Sequence, residues 1–100
     1  MEKDKHTTDV IFRIFKEGDV IAMFPGLPGT NDVSTCMSYQ HIGQHGSASI
    51  WLSRCVRLAT PEEYASLKRE LESLGYNLRV VKRATPKHWA ERRKQIAGVK

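Results

Sequence analysis

Residues 60–75, TPEEYASLKRELESLG, constrain the fold of this chain more than any other stretch. Thr60 is placed to cap a helix N-terminus. Pro61 fits the first helical position, where no N–H is needed, and Glu63 completes a capping box. Glu62 and Glu63 also put negative charge at the positive end of the peptide dipoles. Tyr64, Leu67, Leu71 and Leu74 recur at helical steps and form one apolar stripe. Gly75 supplies the residue just past the end. A helix with one apolar stripe needs one apolar surface to lie on, and the flanking segments read as a sheet.

Asp9–Phe15 and Asp19–Phe24 are rich in β-branched and aromatic residues, and Lys16-Glu17-Gly18 joins them as a hairpin. Residues 24–32 carry two Pro-Gly pairs and read as a loop. Val33–Gln40 alternates: Val33, Thr35, Met37 and Tyr39 take the expected core face, and Ser34, Cys36, Ser38 and Gln40 the other. A fourth strand is expected over residues 49–58, with Ile50, Leu52, Val56 and Leu58 on one face and Trp51, Ser53, Cys55 and Arg57 opposite. Residues 76–81 read as a fifth strand. Thr85-Pro86 opens a second helix to about Ala97, whose large apolar residues are only Trp89 and Ile96, so it is pinned by Trp89 or awaits a partner.

The fold class expected is therefore α+β: a mainly antiparallel sheet of about five strands, in the order β-β-β-β-α-β-α, with one packed helix and a basic C-terminal helix. Residues 1–8 form a flexible polar segment, 9–84 a single α+β domain, and 85–100 the basic helix and tail. With one main helix, one sheet face is expected to be thinly covered and lined by Trp51, Cys55, Cys36 and serines. Dimerisation through that face is one reading.

One hundred residues, 40% of them hydrophobic and 27% charged, suit one globular core. No apolar run approaches the ~18 residues of a membrane span, so no membrane partner is expected. MEKDKHTTD lacks the apolar core of a secretory signal. Two cysteines make no disulfide framework, which points to reduced thiols in a cytoplasm.

Charge is unevenly placed. Residues 1–60 hold six Lys/Arg and six Asp/Glu, whereas residues 77–100 hold eight Lys/Arg against Glu91 alone, a surplus of +7. A polyanion is the natural partner of such a segment. Arg79, Lys82, Arg83, Lys87, Arg92, Arg93 and Lys94 would meet phosphates, and Trp89 would stack on a base or anchor a protein partner. A solvated basic helix that binds nothing is the plainer alternative. One helix ahead of the basic one, with a strand between, is not a helix-turn-helix, and no RRM aromatic motif is present.

CMSYQHIGQHGS (36–47) offers a different chemistry. Cys36, His41, His45 and Cys55 are the candidate metal ligands, but their spacing lacks the tight cysteine knuckle of zinc sites. Cys36 with His41 or His45 would make a thiol–imidazole pair, yet no acid is placed to orient the ring. His41, Gly43, His45, Gly46 and Ser47 would form an anion-binding loop if their N–H groups face solvent. A glycine-rich turn is the plainer reading. No cofactor is implied, and a binding module is favoured over an enzyme.

Overall fold

The computed structural model describes residues 7–40, 44–50, 52 and 56–98. Its elements follow in the order β1 (Thr8–Ile14), β2 (Val20–Pro28), β3 (Thr35–Gln40), β4 (Gln44–Ser49), β5 (Arg57–Leu58), α1 (Pro61–Ser73), β6 (Leu78–Val80) and α2 (Pro86–Gly98). This is the expected α+β arrangement, with the expected order of strands and helices.

The strands form one sheet in the order β4-β3-β2-β1-β5, antiparallel at each step, with β6 added to β1 in parallel. Both β5 and β6 use the same edge of β1. Thr8 N–H bonds Asn77 O, while the carbonyls of Val10 and Phe12 accept from Val81 and Ala59. These are alternate residues of one strand, so their groups point to one side. β5 and β6 therefore lie end to end along β1, and β2 occupies its other edge. Thr8 belongs to this ladder rather than to a flexible segment; residues 1–6 lie outside the described ones.

α1 forms as its sequence dictates. The Thr60 side chain accepts from Glu63 N–H at 3.3 Å, and the Glu63 carboxylate accepts from Thr60 N–H at 2.8 Å. Arg57 adds two hydrogen bonds to the same carboxylate, and with the cap they hold Glu63 down to about 2. Gly75 follows at φ +106°, where a side chain would be strained. The helix buries Leu67 and Leu71 against Val10, Phe12, Ile14, Ala22, Phe24 and Tyr39 of the sheet. Tyr64 stacks on Phe12 with centroids 4.3 Å apart, and Tyr76 on Phe24 at 5.2 Å.

The opposite face is not bare. Ile11, Ile21, Met23 and Cys36 are buried there under Phe15, Ile50, Leu52, Leu58, Val81 and Ala84. Cys36 is as fully buried as any core residue, so β3 is covered on both faces. The reading of a thinly covered face for dimerisation gives way on this point. Trp51 and Cys55 lie outside the described residues.

Two strands differ from expectation. The fourth is Gln44–Ser49, paired with β3 from Gln40↔Gln44 to Thr35↔Ser49. Residues 49–58 do not make one strand: Val56 N–H returns to Leu52 O, a helical step, before β5. The second strand runs on through Pro28. Its register with β3 jumps from Phe24↔Met37 to Pro28↔Cys36, so Pro25, Gly26 and Leu27 bulge out.

Candidate nucleic-acid interface

The bulge in β2 determines where the basic helix sits. Prolines 25 and 28 have no N–H to give, and the bulged carbonyls lack strand partners. α2 supplies donors instead. Arg92 Nη1 donates to Pro25 O at 2.6 Å, Arg92 Nε to Val33 O at 2.9 Å, and Gln95 Nε2 to Gly26 O at 2.9 Å. Arginine carries only donors and stays charged, which suits it to capture several carbonyls at once. Gly26 lies directly under α2: a Cβ there would lie 2.6 Å from the tip of the Glu91 side chain.

The start of α2 is fastened by His88. Thr85 N–H donates to His88 Nδ1 at 3.0 Å, and His88 N–H to Thr85 Oγ1 at 3.4 Å. This is a capping box with imidazole in place of the usual Glu or Gln. Because Nδ1 accepts, Nε2 carries the proton and donates to Asp9 Oδ2 at 2.7 Å. Arg79 donates twice to the same carboxylate, at 2.7 and 3.0 Å, and chiefly this holds Asp9 below the usual carboxylate range.

The seven described cations of the basic segment thus divide; Lys100 lies outside the described residues. Arg92 is 2% exposed and spends its guanidinium on backbone carbonyls, so it does not stand on the surface to meet a phosphate. Arg79 is exposed but paired with Asp9. Lys82, Arg83, Lys87, Arg93 and Lys94 are exposed. Trp89 is 44% exposed, with Arg93 Cζ 5.1 Å from its ring centre. The helix is pinned by His88 and Arg92, and Trp89 is left facing outward. The sequence signal for this was the spacing of His88, Arg92 and Gln95 along one face, opposite a two-proline strand poor in donors.

Of the Cys/His candidates, the two that are described, Cys36 and His45, are not brought together. Tyr39 faces His45 across β3 and β4, their rings 4.8 Å apart, and His45 Nε2 meets Tyr76 OH at 2.7 Å. That is the α1 side of the sheet, whereas Cys36 points to the other side. His41, Gly43 and Cys55 lie outside the described residues. Among the described residues no three His, Cys, Asp or Glu side chains converge as metal ligands. His45, Gly46 and Ser47 belong to a strand rather than to an anion-binding loop.

Burial pushes the Cys36 thiol up to about 11, against the nearby Arg92 charge. The thiolate fraction at neutral pH is then roughly a hundredfold below that of an ordinary cysteine. In a Cys55→Ser background, Cys36 is expected to resist a thiol reagent until the protein unfolds; rapid native labelling would contradict this burial.

These features define an α+β sheet protein whose C-terminal helix docks by buried polar groups and presents an aromatic and several cations outward. The chain matched no family model, no curated protein and no solved structure.

Proposed function

We propose that the protein is a non-enzymatic binding module that holds nucleic acid weakly and without sequence specificity. Lys82, Arg83, Lys87, Arg93 and Lys94 meet phosphates, and Trp89 stacks on a base. One observation carries this reading: Trp89 is solvent-facing beside Arg93, on a helix whose docking uses other residues. An aromatic face with adjacent exposed cations is the combination that single strands exploit. Arg79 and Arg92, engaged elsewhere, drop out of the contact set.

Binding of a fluorescent single-stranded oligonucleotide at increasing salt tests it. Each phosphate contact contributes about 0.7 to the slope of log K against log salt. Arg93→Glu with Lys94→Glu is expected to weaken binding at least tenfold at low salt, and to flatten that slope. Trp89→Ala is expected to remove about 1–3 kcal/mol, the worth of one stacked base. Unchanged affinity in the double variant rejects the assignment. A protein partner anchored on Trp89 would instead give a Trp89-dependent complex with little salt response.

A further inference from the structure

The two edges of the sheet are protected very differently. Along β1, the outer strands are two and three residues long and carry Arg57 and Arg79, the usual guards against edge pairing. β4 has none of these guards. It is six residues long, regular in its pairing with β3, and its sequence QHGSAS holds no Lys, Arg, Asp, Glu or Pro. Ile50 N–H bonds Ser34 O, so alternate residues, Ala48 and Gly46, turn their backbone groups toward β3. His45 and Ser47 therefore aim their N–H and C=O groups outward, and both residues are exposed. Among the described residues nothing pairs with these groups.

We propose that a second copy of this chain pairs antiparallel along β4, with the two-fold axis at Gly46. His45 then faces the second copy's Ser47 in a hydrogen-bonded pair, and Ser47 faces its His45. Gly46 meets its own copy in the close, non-hydrogen-bonded position, where only a small side chain can be accommodated on the axis. The contact is self-complementary, as a two-fold pair requires. Charge also selects it. The chain carries +5, so two copies repel wherever cations meet. β4 carries no Lys, Arg, Asp or Glu, while the basic helix docks two strands away on β2 and Lys82 and Arg83 follow β6 beyond β1. Because the far edge is guarded, the assembly closes at two.

Sedimentation equilibrium of the full chain from low micromolar to near-millimolar concentration tests the pair. The wild type is expected to convert to a dimer and nothing larger. Gly46→Ala, whose Cβ would make an ordinary 3.7 Å contact with Ser38 Oγ, should keep it. Gly46→Lys sets two ammonium groups opposite each other and should weaken association at least tenfold. In the wild type, the His45 and Ser47 amides should gain hydrogen-exchange protection as concentration rises, a reading that does not depend on the variant folding. A wild type that stays monomeric, forms an open series of oligomers, or shows no concentration-dependent protection overturns the proposal.

Discussion

Arg92→Ala is expected to lower stability by about 2–4 kcal/mol, because it leaves two backbone carbonyls without donors and opens space under α2. For a domain of this size that is a fall in melting temperature on the order of 10–20 °C. Among the described residues no acid partners Arg92, so the loss orphans no counter-charge there. The penalty comes from Pro25 O, which is buried, and from Val33 O. Arg92→Met separates volume from hydrogen bonding: it fills the space but gives no donor, and should recover only part of the loss. Arg92→Lys restores charge without the fork and should also fall short. Urea unfolding of the three variants measures all of this. A change in Arg92→Ala within about 0.5 kcal/mol, the range of ordinary surface substitutions, would place Arg92 back on the surface.

Gly29→Ala is expected to cost a comparable amount, about 2–4 kcal/mol, through crowding rather than lost bonds. A Cβ at residue 29 would lie 2.5 Å from Ser47 Cβ and 2.6 Å from the Cys36 carbonyl oxygen. Neither can swing aside. Cys36 is held in β3 between β2 and β4, and Ser47 in β4. Gly26→Ala makes a matched comparison, because its 2.6 Å clash is with the tip of the Glu91 side chain, which can rotate away. That variant should lose less than about 1 kcal/mol, a surface-like effect. Equal losses at the two glycines, measured by thermal or urea unfolding, would show that the β2–β3–β4 junction yields more easily than its contacts indicate.

Much of this architecture is legible in the sequence where local chemistry and tertiary need agree. Thr60, Pro61, Glu63 and Gly75 mark α1 because caps and turns act over a few residues. The first hairpin is legible in its β-branched run and in Gly18, which takes φ +99°. The fourth strand is not. QHGSAS has poor intrinsic strand character and forms because β3 offers it a partner, while the apolar residues after it simulate a strand by alternation. The extension of β2 is hidden by two prolines, which normally end a central strand; here Pro25 sits in a bulge served by a much later helix, and Pro28 resumes the pairing opposite Cys36. The candidate site was legible in charge and blurred in geometry. Lysine and arginine counts cannot separate Arg93, which stands beside Trp89, from its neighbour Arg92, which points inward. One residue along a helix is a turn of 100°, and only the docked face decides between them.

The shared edge of β1 also governs the order in which the chain can become whole. Val10 and Phe12 lie at the centre of the sheet, yet their strand partners on that edge come from beyond residue 56. During synthesis the first hairpin can close early, but its open side is filled in two steps, at Phe12–Ile14 by residues 57–59 and at Thr8–Val10 only when residues 78–80 emerge. Long-range closure of this kind slows folding. Any fragment ending before Leu78 leaves the Thr8–Val10 half of that side unpaired, and the edge is completed only when β6 returns onto the first strand.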